Sequence, residues 1–164
     1  MKNWLFLFST IYSLNIYSQN TLSLNETKFN QIKSIGFSLP AGTHAPIYDD
    51  AAFNYFVKEK RKVLQFLIEK ITDTTFTSIK RKSTNGFFKK GDLAIIVLSN
   101  IEFIPYASIT GEQWCICCET GYIPVNFLSY VDDNRLDFQS KYRYYCLEQE
   151  RKKSSKGNRK NRRS

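Results

Sequence analysis

Three of the four cysteines, Cys115, Cys117 and Cys118, fall within one short stretch, and the fourth, Cys146, follows about 28 residues on. Thiols at this density could serve as nucleophiles, hold zinc or form a disulfide. A nucleophilic thiolate needs a base, and His44 is the only histidine. Neither the residues around His44 (Ala41-Gly-Thr-His-Ala-Pro-Ile-Tyr-Asp49) nor those around Cys115 (Gln113-Trp-Cys-Ile-Cys-Cys-Glu119) form a nucleophile turn, so His44 reads as a loop residue. Zinc sites draw ligands in spaced pairs, which Cys-x-Cys-Cys with one distant cysteine does not supply. Cys115 and Cys117 share one face of the strand predicted here, and neighbours at that spacing rarely bond each other. Two readings stay open: buried, inert thiols, which the pattern favours, and a single bridge from this strand to Cys146. No glycine-rich phosphate loop, HExxH or paired-carboxylate pattern is present, and Asp132, Asp133 and Asp137 read as a solvated turn. The residues point away from catalysis and call for no cofactor or metal.

Charge offers a second chemistry. The formal net charge is +9, from 24 Lys/Arg and 15 Asp/Glu in 164 residues. Eight of the basic residues and no acid lie in 151–164; with Lys2 set aside, 19–150 holds 15 of each sign. The body is therefore neutral and the basicity is a tail. Residues 151–164 contain no apolar side chain and are expected to be a disordered basic arm, able to touch phosphate, lipid headgroups or an acidic envelope polymer. The plainer reading is a solvated end that keeps the chain soluble. Inside the body, 58–90 holds ten Lys/Arg against three acids, and 91–150 three against nine. With the tail, the first stretch could form a basic face for nucleic acid, with Phe53, Tyr55, Phe66 and Phe76 as stacking surfaces.

The elements that must position these groups are read from pattern. Hydrophobic residues at 42% and aromatics at 15% support one folded domain, and 13 Phe and 10 Tyr against 7 Gly and 4 Pro favour β-structure. Residues 1–18 (one Lys, an apolar stretch from Trp4 to Tyr17, then Ser18) match a short secretory signal cut after Ser18, which places the mature chain in the periplasm or outside the cell. The competing reading is a first strand or helix, and the stretch is too short and polar to anchor in a bilayer. Residues 19–34 read as a flexible lead-in. Apolar residues from Phe53 to Ile71 fall at helical spacing broken only at Lys60, with Asp49-Asp50 as a cap; two strands broken around 58–62 are the alternative. Asn85-Gly86 signals a turn, Leu93–Leu98 is an apolar run of strand length, and short extended pieces follow through Val131.

Four blocks resemble one family. Ala45-Pro-Ile-Tyr-Asp49 looks like the first strand of SH3 domains, and Phe87-Phe-Lys-Lys-Gly-Asp92 like the entry to their second. Gly111-Glu-Gln-Trp114 resembles the loop and Trp opening the third strand, and Gly121-Tyr-Ile-Pro-Val-Asn-Phe-Leu128 the motif before the last. With an export signal, the chain is most similar to bacterial SH3-like modules of the cell envelope. The resemblance implies a mainly β fold: a small SH3-like barrel over 35–131, interrupted by a helix-bearing insertion at about 50–86, then a post-barrel extension at 132–150 and the basic tail. By position it implies a ligand groove of Tyr48, Trp114, Pro124 and Phe127, with Asn126 as polar neighbour, although Asp50 and Phe127 stand where the family carries tyrosines. If Cys117 fills a small core position of that family, Cys118 becomes the partner for a bridge to Cys146. The function implied is non-catalytic binding or scaffolding, toward a peptide, a protein or a cell-wall component. The alternative is a basic small-barrel protein that binds nucleic acid through 58–90 and the tail, and a third option is an accessory subunit docked on a larger envelope partner.

Overall fold

Asp50 opens the first well-capped helix: its carboxylate accepts from Ala52 N and Phe53 N at 2.9 Å, satisfying two of the donors that a helix start leaves free. The computed structural model of the chain describes residues 19, 21–38, 47–81, 85–114, 118–120, 123–124 and 126–160. The chain divides into two units, 1–66 and 67–164.

In the first unit, helix α1 (21–30) precedes a two-stranded antiparallel pair, β1 (Phe37–Ser38) with β2 (Ile47–Tyr48), and helix α2 (Ala51–Glu59). Helix α3 (Arg61–Lys70) begins here and runs into the second unit. The unit is held by aromatic packing: Phe29 meets Phe56 and Phe66 edge-on, each with ring centroids 5.7 Å apart, and Phe56 stacks on Phe66 at 5.9 Å. Phe29 and Phe56 are fully buried. Each such ring contributes about 1.5–3 kcal/mol by leaving water. The stretch read as a flexible lead-in thus supplies a helix and a core residue. Between α2 and α3 the backbone turns at Lys60, at φ 47°. The helical reading of 52–71 therefore holds, with a break at the one residue that interrupted its apolar stripe.

The second unit starts with the end of α3 and a hairpin of β3 (Phe76–Lys80) and β4 (Phe87–Lys89), in which Phe76 pairs with Lys89 and Lys80 with Phe87. Helix α4 (Lys90–Ile101) follows without a break, then the short α5 (Tyr106–Thr110), the antiparallel pair β5 (Cys118–Thr120) and β6 (Ile123–Pro124), and the long α6 (Phe127–Lys160). Asn134, at φ −129° and ψ 24°, kinks α6.

This architecture corrects the SH3-like reading. The chain is mainly α-helical, and among the described residues its sheets are two-stranded, open and form no barrel. Three findings lie behind the correction. Leu93–Leu98 is not a strand but the middle of α4, whose residues Gly91 to Ser99 are all buried. A helix hidden on every side carries no periodic stripe and looks like a buried strand. Ile101–Ile109, among the pieces read as extended, contains the end of α4 and α5. Finally, the apolar run through Val131, the 132–150 extension and the basic tail as far as Lys160 are one kinked helix rather than a last strand and a disordered arm. With the barrel goes the description of 50–86 as its insertion. No helix among the described residues is long and apolar enough to cross a membrane, and the stretch read as a secretory signal, 1–18, lies outside them.

Candidate functional site

Gly91 and Asp92, the end of the Phe87–Asp92 block, sit where α4 begins. Asp92 accepts from Lys89 N at 2.9 Å, a reach-back from the third position of the helix. Its other oxygen accepts from the Arg135 guanidinium at 2.6 Å. Arg135 also donates to the Ile71 carbonyl at 3.0 Å and to Asp132, which takes a further bond from Lys89 Nζ at 2.9 Å. One turn along α6, Gln139 donates to the Ile68 carbonyl at 2.8 Å. Arg135 and Gln139 thus bond carbonyls at and just past the end of α3, that of Ile68 also accepting from Ile71 N at 3.2 Å. Gly91 allows the approach: a Cβ at this position would overlap the Ile71 carbonyl oxygen and the Arg135 guanidinium. Burial acts to raise the Asp132 pKa, but hydrogen bonds from Lys89 and Arg135 outweigh it and hold the carboxyl below its ordinary value. The reading of Asp132 as part of a solvated turn is corrected. It belongs to a helix and to this network, and an Asp three residues before an Arg on one helix face was the available signal.

A second polar group lies farther along α6. The Tyr142 hydroxyl donates to Glu102 at 2.6 Å, and the Cys146 thiol donates to the same oxygen at 3.8 Å. Burial, then the Glu102 carboxylate, pushes the thiol up to about 11, and the same pair of causes raises the Tyr142 phenol above its ordinary value. A thiol this reluctant to ionise is a poor nucleophile. Cys146 is free; the Cys118 side chain, its expected partner, lies outside the described residues, as do Cys115, Cys117 and His44. Among the described residues no three His, Cys, Asp or Glu side chains are grouped to hold a metal ion.

The residues proposed for an aromatic groove are distributed as follows. Tyr48, in the first unit, is 5% exposed with its ring 4.7 Å from that of Phe53. Phe127, at the head of α6, is 0% exposed. Both rings are core. Trp114 is half-buried, edge-on to Phe127 at 5.0 Å and to Tyr130 at 5.2 Å, with its indole N–H donating to Thr110 Oγ1 at 3.1 Å. Pro124 ends β6, and Asn126 is exposed at φ 65°, its carbonyl accepting from Tyr130 N. Trp114 and Phe127 are therefore brought together, as packing partners.

Among the described residues, two exposed surfaces bear on the ligand readings. On the β3–β4 hairpin, Phe76 is 65% and Phe87 41% exposed; each faces a lysine across the pair, and Lys89 Nζ lies 5.9 Å from the Phe76 ring centroid. Of the other aromatics proposed for stacking, Phe53 and Phe66 are buried. The second surface is the end of α6. Residues 151–155 are all exposed, and 151–160 carry six Lys/Arg and no acid on helical backbone. No family model matches the chain, nor does any curated protein or solved structure, so the SH3 resemblance rests on its sequence blocks alone.

Proposed function

We propose that the chain is an exported, non-catalytic binding protein whose basic helical arm, 151–160, engages an anionic component of the cell envelope. The observation that carries this reading is the arm itself: six cations in ten residues and no acid, on helical backbone, with 151–155 exposed. Cations spaced along a rigid helix meet a run of phosphates or carboxylates without the ordering cost of a disordered tail. Asp92, Arg135, Gln139 and Tyr142, buried in the second unit, bond to one another or to Ile68, Ile71 and Glu102, which suits a scaffold. The test is co-sedimentation with vesicles bearing anionic lipid and retention on an acidic polysaccharide, against neutral versions of each. The full chain is expected to bind the charged forms and a chain ending at Glu150 to lose them; equal behaviour of the two overturns the reading. Export rests on the leader and is checked by intact mass of periplasmic material, expected to begin at Gln19.

The hairpin supports a second reading, single-stranded nucleic acid. Two exposed rings with lysines across from them are the groups that stack bases and meet phosphates. Oligonucleotide binding that falls when Phe76 and Phe87 become Ala, and survives loss of the arm, would favour it.

A further inference from the structure

We infer that the outward face of α6 pairs with the same face of a second copy of this chain, antiparallel and about a two-fold axis. Beyond the kink, Arg135, Phe138, Gln139 and Tyr142 turn inward and are buried. The opposite face carries Leu136, Ser140, Tyr144 and Leu147, which follow one another at four, four and three residues and so line one side of the helix. Leu136 is 72%, Tyr144 65% and Leu147 52% exposed, three large apolar side chains on one narrow seam with only a serine among them. Scattered exposed leucines need no explanation, but an apolar line along one helix face does.

Charge selects the occupant and its direction. Asp133 and Asp137 flank the near end of the seam, Arg151 and Lys152 the far end, and all four are exposed; Asp137 is also bonded to Lys141 and Arg151 to Glu148 along the helix, so the ends differ in net sign chiefly through Asp133 and Lys152. A parallel copy would set acid on acid and base on base. An antiparallel copy sets each acidic end against a basic end, twice, as a self-complementary two-fold interface requires. In the register that places Asp133 opposite Arg151, Ser140 faces Tyr144 of the other copy, so the small side chain makes room for the ring at both symmetric positions. The interface uses none of the buried network; it takes up Arg151 and Lys152 of each arm and leaves the rest, from Lys153 on, at opposite ends.

Sedimentation equilibrium of the purified protein across the micromolar to millimolar range is expected to show a reversible monomer–dimer exchange. Leu136→Glu and Leu147→Glu are each expected to weaken it at least about tenfold, with unchanged far-ultraviolet dichroism because neither side chain is in the core. Asp133→Lys and Arg151→Asp are expected to weaken it singly and, combined in one chain, to restore it. A monomer at every concentration overturns the proposal, as does a dimer indifferent to both leucine changes. Failure of the combined charge exchange to restore association overturns the antiparallel arrangement.

Discussion

Asp92 and Arg135 meet with their side chains 1% and 6% exposed. A buried pair adds little over an apolar substitute, but removing one partner strands the other's charge, at about 3–5 kcal/mol. Arg135→Ala is therefore expected to lower the free energy of unfolding in urea by that amount. Asp132→Asn, at a side chain 29% exposed, should cost on the order of 1 kcal/mol; equal losses would show that the buried pair has no special weight. Asp132 also fixes a pH dependence. Its pKa is lower in the fold than in the unfolded chain, so its contribution is complete above the unfolded value, about 3.9, and fades as the pH falls through the lower folded one. Thermal scans should show this acid loss shrinking in Asp132→Asn. At the alkaline side Cys146 acts in the opposite sense. Its raised pKa makes its contribution complete below the ordinary value of 9.0, and lost as the pH climbs toward about 11. At pH 8 it should alkylate far more slowly than a free thiol in solution, as peptide mass spectrometry would report; rapid labelling would mean that Glu102 and burial do not hold it.

Helices α2 and α3 show how much an element reveals and conceals. Lys60 holds them apart at φ 47° and ψ −114°, a region that side-chain-bearing residues rarely occupy. Glycine adopts it freely, so Lys60→Gly is expected to raise stability by about 1 kcal/mol, read as a higher denaturant midpoint with an unchanged slope. These two helices were legible because each is half-exposed and carries a stripe, and the Asp50 cap was legible because caps depend on one residue type. Helix α4 was not, because burial on all sides erases the stripe, and Phe87–Asp92 imitated the entry to a strand when only its first three residues are one. The Asp92 reach-back was the local clue to a helix start. Trp114 and Phe127 were picked out by their places in the SH3-like blocks, and a large aromatic marks a core as readily as a ligand site. Arg135 went unnoticed because a buried arginine is recognised by its partners, and beyond Asp132, three residues before it, those lie 43 and 64 residues away in sequence.

At the scale of the molecule, charge is the property that sequence and structure describe alike, and it carries the last prediction. The neutral body and the basic end are separate in sequence, and the fold extends α6 through the basic segment, so cations that could have trailed loosely are placed along a rod. Positive side chains at the last turns also complement the negative end of the helix dipole, which favours helix there despite the lack of apolar packing. If the arm is the binding element, affinity for an anionic polymer should fall steeply with salt through the counterions it releases. Plotted as log affinity against log salt, the full chain should have a pronounced negative slope, and each Lys or Arg in 151–160 changed to Gln should reduce its magnitude by nearly one unit. Thermal stability should stay unchanged across that series, since residues 151–155 lie outside the core. A slope unaffected by these changes would move the binding surface off α6 and onto the lysines and exposed rings of the β3–β4 hairpin.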